Sequence, residues 1–479
     1  MLFNSYIFIF AFLPVTFLVY FWLNKQRLII PAKAWLVFSS LFFYGWWNIR
    51  YLPLILGSIL FNFSVGAVLS GKTRKDIISR KTLIVVGVLV NLLLLAYYKY
   101  TDFFLVNAGR VSGLNFALEH LVLPLGISFF TFTQIAYLVD TYNKDVKEMD
   151  YLNYSLFVTF FPHLIAGPIL HHSEMMPQFD DVKTKTVNYK NLALGIFLFS
   201  AGLFKKVMIA DTFAQWANAG FAGAEKLTFV DGWTTSLSYT AQLYFDFSGY
   251  TDMALGIALM FNIRLPQNFN SPYKAVDLQD FWRRWHMTLS RFLRDYLYIP
   301  LGGNRKGELI TCQNLMITFL LGGFWHGAAW TFVFWGFMHG AGLVINRFWR
   351  RFGFVLPSAL AWFITFNYVN IGWVFFRAKS WGEAFSVLKA MSGLNGFVFP
   401  QGLLPLNPAH NAGLAAVSWS GASVLCSAAF ILTVLFVKKT DQLDGYFKPK
   451  PAYLAAAVIM TAAALCNMSK VSEFLYYTF

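Results

Sequence analysis

Residues 321–330 read Leu-Gly-Gly-Phe-Trp-His-Gly-Ala-Ala-Trp, and they place one ionisable side chain, His326, in a stretch that is otherwise apolar or glycine. This stretch lies within an apolar run, residues 313–346, that has basic residues on both flanks, with Arg347, Arg350 and Arg351 just after it. Both flanks are therefore expected to face the cytoplasm. One helix over the run would be about 51 Å long, which is too long for a single membrane crossing and short for two. The run therefore predicts a bent or re-entrant pair of helices, with His326 near the break and enclosed by protein. The glycines that could supply the breaks are Gly322, Gly323, Gly327, Gly336 and Gly340.

The composition extends this prediction to the whole chain of 479 residues. It is 57% hydrophobic and 13% charged, whereas soluble domains average about 25% charged residues. We predict an all-α polytopic integral membrane protein with about eleven or twelve transmembrane helices, together with re-entrant and interfacial helices. The candidate spans are residues 6–23, 34–47, 52–69, 82–98, 121–139, 154–170, 192–214, 234–263, 315–345, 360–376, 417–437 and 452–468.

Charge and spacing indicate how the chain is organised. The net charge is +15, and such an excess in a membrane protein usually marks cytoplasmic loops. We expect one membrane-embedded domain over residues 1–479, with N-terminal helices in 1–120, a catalytic core in 121–350 and C-terminal helices in 351–479. A Gly- and Pro-rich loop near 394–415 is expected outside. The three cysteines lack metal-ligand spacing, and no pair of His-x-x-x-His or Cys-x-x-Cys motifs is present, so no metal site is expected. The sequence also has no P-loop and no Gly-x-Ser-x-Gly motif, and we expect no nucleic-acid partner.

The most basic segment, residues 264–311, carries a second histidine, His286. Its tryptophans and arginines interleave, as is typical of a helix at the membrane surface. The alternative to a purely interfacial helix is a cationic rim for a phosphate-rich acyl donor, because arginine binds phosphate with two parallel hydrogen bonds. Asp280 and Arg284 are spaced to form an ion pair along a helix. The candidate donor-binding residues are Arg283, Arg284, Arg291 and Arg294.

Other polar side chains also lie in apolar surroundings. Asp246 and Asp252 flank a Ser-Gly pair in one candidate span, and His163 stands between two prolines in another. Such groups can orient a histidine, hold an arginine or line a polar tunnel. A structural polar network is the alternative interpretation of the two carboxylates, and a buried structural role is the alternative for His163.

Several motifs resemble the bacterial membrane-bound O-acyltransferases, in particular those of alginate O-acetylation. They are Tyr244-Phe-Asp-Phe-Ser-Gly-Tyr-Thr-Asp-Met-Ala254, Leu265-Pro-Gln-Asn-Phe-Asn-Ser-Pro-Tyr273, Phe281-Trp-Arg-Arg-Trp-His286, Leu293-Arg-Asp-Tyr-Leu-Tyr-Ile-Pro-Leu-Gly-Gly-Asn-Arg305, Gly323-Phe-Trp-His-Gly-Ala-Ala-Trp330 and Pro162-His-Leu-Ile-Ala-Gly-Pro-Ile169. The resemblance implies that His326 is the catalytic residue, that His286 is its partner, and that both line a central tunnel. Trp325, Asp246, Asp252 and His163 would support the tunnel walls.

The resemblance also implies the substrates and the location. Acetyl-CoA or a similar acyl thioester would enter from the cytoplasm as a donor substrate, with no tightly bound cofactor. The acceptor would be an extracytoplasmic, alginate-like polysaccharide, acetylated directly or through periplasmic acetyltransferase proteins. The chain would span the bacterial inner membrane several times, in contact with membrane lipids.

These residues suggest a mechanism and two alternatives. Neutral His326 would take the proton of the acceptor hydroxyl as it attacks the thioester and return it to the leaving thiolate. His286 would stabilise the oxyanion or orient the substrate. A transporter that exports a sugar, lipid or acyl carrier could use the same histidines and aspartates as a proton relay. A catalytically idle scaffold for a secretion complex is the third possibility.

Overall fold

The computed structural model describes residues 1–71, 79–143, 150–398, 421–436, 447–468 and 475. Within these ranges every regular element is a helix. The helices are α1 (Leu13–Lys25), α2 (Ile29–Gly45), α3 (Leu52–Leu69), α4 (Arg80–Ser112), α5 (Ile127–Tyr142), α6 (Tyr151–Thr159), α7 (Phe161–Leu164), α8 (His172–Asp180), α9 (Tyr189–Phe204), α10 (Asp211–Ala222), α11 (Phe229–Met260), α12 (Leu278–Trp282), α13 (Met287–Leu293), α14 (Glu308–His326), α15 (Trp330–Arg351), α16 (Ser358–Arg377), α17 (Trp381–Met391), α18 (Gly421–Phe436) and α19 (Pro451–Asn467). Most of the loop predicted near 394–415 lies outside the described residues.

The helices confirm the predicted all-α membrane fold. Among the described residues, five helical runs are long and apolar enough to cross a membrane: Phe8–Lys25, Ile49–Leu69, Arg80–Ser112, Tyr189–Ala222 and Ser358–Arg377. Three shorter apolar helices are Ile29–Gly45, Gly421–Leu435 and Pro451–Asn467. All eight coincide with candidate spans from the sequence, while the count of eleven or twelve spans stays a prediction.

One candidate span, residues 154–170, is not a continuous helix. Helix α6 ends at Thr159, α7 is a single turn, and helix resumes only at α8. Pro162 lies in the first turn of α7, and Pro168 lacks the backbone N–H that a continuing helix needs. Between them, a Cβ on Gly167 would meet the Cα of His163 at 2.3 Å. The chain therefore folds back tightly at His163 and does not cross as a rod.

The described chain forms two compact units. The first comprises Met1–Leu203, Tyr250–Gln267 and Leu443–Ala462, and the second comprises Phe204–Gly249, Asn268–Gln442 and Ala463–Phe479. The single domain expected over 1–479 stays a prediction.

A buried amide network joins three helices of the first unit. Asn62 of α3 donates from Nδ2 to Oε1 of Gln134 in α5 at 2.9 Å. Asn91 of α4 donates from Nδ2 to Oδ1 of Asn62 at 2.6 Å. Gln134 in turn donates from Nε2 to the Ser58 hydroxyl of α3 at 2.9 Å. Hydrogen bonds of this kind hold apolar helices together in lipid, where the hydrophobic effect between helices is absent.

The second unit contains a helical hairpin, α14 and α15, which agrees with the pair of helices predicted over residues 313–346 with a break near His326. That this pair is re-entrant in the membrane stays a prediction. The hairpin turns at residues 327–329, immediately after His326. The two helices approach closely at glycines: a Cβ on Gly323 would meet the carbonyl oxygen of Phe332 at 2.3 Å, and one on Gly336 would meet that of Phe319 at 2.3 Å. Only Gly327 of the predicted glycine breaks interrupts the helix; Gly323 and Gly336 serve packing.

Candidate active site

His326 is held at the closed end of the α14–α15 hairpin. It is the last residue of α14, and its C-cap, Gly327, has extended backbone. Three aromatic rings surround its imidazole, with centroid distances of 4.8 Å to Trp325, 5.3 Å to Trp335 and 5.2 Å to Phe376. Trp325 therefore contacts His326 directly, while its supporting role in a tunnel wall stays a prediction.

His286 lies between α12 and α13 and is fully enclosed, with 1% of its surface exposed. Its backbone is left-handed, with φ of 42°. Two backbone hydrogen bonds fix the segment to the preceding loop: Met287 N–H donates to the Asn268 carbonyl and Asn270 N–H donates to the Arg284 carbonyl, each at 2.9 Å. The loop at 268–270 therefore buries His286 within the protein, while its expected position at the membrane edge stays a prediction.

The two histidines line one small cavity, which we call the histidine cavity. Its volume is about 30 Å³, enough for a water molecule or a small substrate group. Asp246 of α11 contributes a carboxylate, and the remaining wall is apolar. The lining residues are Leu243, Asp246, Phe247, Trp285, His286, His326, Trp335, Trp373, Phe376 and Leu475. The structure thus brings together three of the site residues predicted from the sequence.

Asp246 belongs to a buried ion-pair cluster. Its Oδ1 lies 2.6 Å from the Lys206 ammonium, and that ammonium also lies 2.7 Å from Oδ1 of Asp211. The other Asp246 oxygen accepts the N–H of Leu475 at 3.3 Å. Both Lys206 and Asp246 have side chains only 3% exposed. The cluster matches the polar network that the sequence suggested for Asp246, with Lys206 as its cation.

His326 also borders a second, much larger space, which we call the arginine cleft. This cleft has a volume of about 1190 Å³, and His326 and Trp335 line both it and the histidine cavity. Its walls carry six arginines, on the α12–α13 segment and at the end of α15. They are Arg283, Arg291, Arg294, Arg347, Arg350 and Arg351.

Three of the four arginines predicted to contact a donor lie in this cleft, and Arg284 does not line it. The Nε of Arg284 is 2.8 Å from Oδ1 of Asp280, so the ion pair expected at this spacing is confirmed. Arg347, Arg350 and Arg351 were assigned from the sequence to membrane topology alone. The signal that could have found them is their number, since three arginines within five residues exceed what a loop needs.

The arginine cleft has acidic residues at its rim. Glu308 begins α14 and pairs with Arg347 near the end of α15, with Nε–Oε2 and Nη2–Oε1 distances of 2.7 and 3.0 Å. The hydrogen bonds from Arg347 hold the pKa of Glu308 below its usual value. Arg294 pairs with the adjacent Asp295 at 2.7 Å. These carboxylates offset part of a strongly positive surface.

His339 has a structural position. Its Nδ1 accepts a hydrogen bond from the Trp282 indole at 3.2 Å, and its ring meets that of Trp335 edge to face with a centroid distance of 4.8 Å. The hydrogen bond from Trp282 ties α12 to α15 and therefore fixes the segment that carries Arg283 and His286. Among the described residues no group of histidines, cysteines and carboxylates could hold a metal ion.

Two predicted site residues belong to the first unit. Asp252 lies in the C-terminal part of α11, and His163 lies in α7, where it is 4% exposed. Their proposed supporting roles remain predictions. Lys206 and Asn268 were not predicted from the sequence. A lysine inside an apolar run was an available signal for Lys206, whereas nothing in the sequence singles out Asn268.

Comparisons with known proteins identify the family to which the chain belongs. A family model for the membrane-bound O-acyltransferases matches residues 41–380, well over half of the chain. The chain belongs to the membrane-bound O-acyltransferase family. This membership makes it a membrane-embedded acyltransferase, as the sequence motifs predicted.

Three similar proteins are named for three different polymers. A peptidoglycan O-acetyltransferase of Helicobacter pylori is 55% identical, over 83% of this chain and 80% of that protein. A probable alginate O-acetylase of Pseudomonas aeruginosa is 42% identical, over 82% of this chain and 75% of that protein. A teichoic acid D-alanyltransferase of Bacillus subtilis is 28% identical, over 54% of this chain and 70% of that protein.

Proposed function

We propose that the protein transfers an acetyl group from a cytoplasmic thioester donor to a glycan outside the bacterial inner membrane. The observation that carries this proposal is that His326 lines both the arginine cleft and the histidine cavity. A donor in the cleft and an acceptor in the cavity would meet at this one imidazole. The cleft then serves the donor side, and the cavity serves the acceptor side.

The arginine cleft suits a thioester on a phosphate-bearing arm, such as acetyl-CoA. Between Trp335, beside His326, and Arg347, helix α15 rises about 18 Å. A phosphopantetheine arm has about 13 bonds between phosphorus and sulfur, and it spans about 15 Å if extended like a peptide chain. The two lengths are similar, so arginine side chains at the open end are placed to bind the phosphates with the thioester near His326.

The reaction needs two proton transfers, one from the acceptor hydroxyl and one to the leaving thiolate. The acceptor hydroxyl attacks the thioester carbonyl carbon and gives up its proton, for which neutral His326 is our candidate base. The carbon–sulfur bond then breaks, and the thiolate takes the proton back from the imidazolium. An ester and a free thiol result, so no redox partner or metal is required for the balance.

The acceptor is proposed to be a cell-envelope glycan. An alginate-like exopolysaccharide was expected from the sequence motifs, and the more similar relative acts on peptidoglycan instead. The higher identity favours peptidoglycan over alginate. Periplasmic acetyltransferase proteins that receive the acetyl group remain part of the proposal.

Two assays test this function. Purified protein in lipid should release free thiol from acetyl-CoA when a glycan acceptor or water is present, and His326→Ala should abolish release while the protein still inserts and accumulates. Cells should also lose ester-linked acetyl groups from peptidoglycan or exopolysaccharide in the same variant. A wild-type protein that moves substrate across vesicles without thiol release would instead favour the transporter.

A further inference from the structure

The side-chain oxygen of Asn268 contacts both His286 and Thr288 in the protein interior. Oδ1 of Asn268 lies 3.0 Å from Nδ1 of the imidazole. The same oxygen accepts the Thr288 hydroxyl at 2.9 Å and the Thr288 backbone N–H at 3.3 Å. Asn268 is 1% exposed, so water does not compete for these bonds.

The backbone N–H of Thr288 fixes which end of the Asn268 amide faces the histidine. A backbone N–H can only donate, so the amide group facing it must be the oxygen. An amide oxygen can only accept, so the imidazole nitrogen beside it, Nδ1, must carry the proton. The other nitrogen, Nε2, then has a lone pair. It is buried and has no hydrogen-bond partner within the described part of the chain.

The backbone conformation of His286 supports a fixed orientation. Left-handed φ is disfavoured for residues with a Cβ, and asparagine, aspartate and histidine are the side chains that tolerate it best. The surrounding structure holds this conformation through the bonds at 268–270 and through Phe247, whose ring lies 4.8 Å from the imidazole. Residues held in such conformations are found where a side chain must be aimed.

We propose that Asn268 is a positioning residue that fixes His286 as the Nδ1–H tautomer, so that His286 presents a hydrogen-bond acceptor to the histidine cavity. His286 then binds a hydrogen of the glycan acceptor, such as a hydroxyl beside the reacting one. It does not donate to an oxyanion, which is one of the two roles expected for it from the sequence. This inference rests on the proposed function, since it needs a substrate in the cavity.

The charges around His286 are compatible with a neutral ring. Across the cavity lie the Asp246 carboxylate, backed by Lys206, and His326. On its own segment Arg284 is neutralised by Asp280, and Arg283 lines the cleft. His286 lies outside the candidate spans, and burial lowers its pKa to about 3. His286 in the wild type therefore stays neutral throughout the physiological pH range.

The pH profile of Asn268→Asp tests the proposal. A carboxylate keeps the accepting atom at Nδ1–H but raises the pKa of His286 by its charge. Below that pKa, Nε2 carries a proton and cannot accept. We expect near-normal kcat at high pH, and loss of about fivefold as the pH falls from about 8 to about 5, beyond any loss in the wild type. A profile that matches the wild type, or a gain of activity in acid, would overturn the proposal.

Two further variants separate positioning from simple support of the fold. Asn370→Asp is the matched control, because Asn370 is also buried and accepts the Thr240 hydroxyl at 2.7 Å without contacting His286. It should show no new acid-side loss. Asn268→Leu removes the accepting atom and should lower kcat by about tenfold, as loss of a group that orients a reactive histidine does. Normal kcat in a stable Asn268→Leu variant would contradict the assignment.

A spectroscopic measurement needs neither substrate nor a folded variant at position 268. Histidine labelled with ¹⁵N and ¹³C distinguishes the two neutral tautomers by the carbon next to the protonated nitrogen, and His286→Asn identifies the His286 signal. We expect a proton on Nδ1, and a proton on Nε2 would overturn the proposal. If wild-type protein released no thiol from acetyl-CoA, the proposed function would fail while this measurement still decided the tautomer.

Discussion

The carboxylate of Glu308 accepts two hydrogen bonds from the Arg347 guanidinium, at 2.7 Å from Nε and 3.0 Å from Nη2. Arg351 also lies near it, with an Nη1–Oε1 distance of 3.8 Å. The contact joins the first turn of α14 to the last turns of α15, at the end of the hairpin opposite to His326. The arginine cleft is therefore partly neutralised by a carboxylate of the protein itself.

Replacing Glu308 by glutamine should strengthen donor binding. A donor phosphate competes with the Glu308 carboxylate for Arg347, and the amide is a weaker competitor. We expect the KM for acetyl-CoA to fall about threefold, in line with the modest strength of exposed ion pairs. Glu225→Gln is the control, since Glu225 is exposed and does not line the cleft. An increase in KM would mean that Glu308 mainly holds the two helices together.

Arginines inside and outside the cleft should differ in their effect on the donor. Arg347→Gln removes a bidentate phosphate site and should raise the KM for acetyl-CoA about tenfold, with little change in kcat. Arg284→Gln is the matched variant, because Arg284 lies on the same surface but pairs with Asp280 away from the cleft. Steady-state kinetics at fixed ionic strength measure both. Equal effects of the two substitutions would argue against the cleft as the donor site.

Lys206 should be essential for stability. In Lys206→Met, the carboxylates of Asp211 and Asp246 would remain buried without their cation. Breaking a buried ion pair from one side costs about 3–5 kcal/mol. We expect a large drop in Tm by thermal unfolding in detergent. The double variant Lys206→Met with Asp246→Asn should recover part of the loss, and no recovery would show that the lysine acts through other contacts.

The α14–α15 hairpin should not tolerate a methyl group at Gly336, where the two helices are in close contact. In Gly336→Ala, Cβ would lie 2.3 Å from the Phe319 carbonyl oxygen, so α14 and α15 must separate. His326 would shift with α14, and both Tm and kcat should fall. Gly57→Ala is the control in an apolar helix, because nothing lies within 4 Å of its added Cβ. Alanine there should be neutral or stabilising by up to about 1 kcal/mol.

Sequence patterns predicted those features that depend on neighbouring residues. The apolar run around His326, Gly327 after it, and the i,i+4 pair of Asp280 and Arg284 all follow from local spacing. Features that join distant segments were not predictable from one sequence. Arg347 meets the α12–α13 segment only because α15 folds back beside it. The contact of Asn268 with His286 depends on backbone hydrogen bonds between its loop and residues 284–288, which are distant in sequence.

Sequence-based predictions were wrong where the backbone geometry, and not the hydropathy, decides whether a segment stays helical. The apolar run at 154–170 has a membrane-spanning composition, but Pro162, Gly167 and Pro168 break it. Gly323 and Gly336 were interpreted as helix breaks, whereas in the structure they allow two continuous helices to touch. Apolar composition indicates that a segment is surrounded by lipid or protein. It does not indicate whether the backbone can remain helical there.

The amide network of the first unit has a consequence for biosynthesis. Asn62 needs both Asn91 and Gln134 to satisfy its side chain. An asparagine or glutamine released alone into lipid would leave its amide unsolvated, at a cost of several kcal/mol per group. We therefore expect α3, α4 and α5 to partition into the bilayer as a set. Translocation intermediates truncated after α3 should remain associated with the insertion machinery until α4 and α5 have been synthesised.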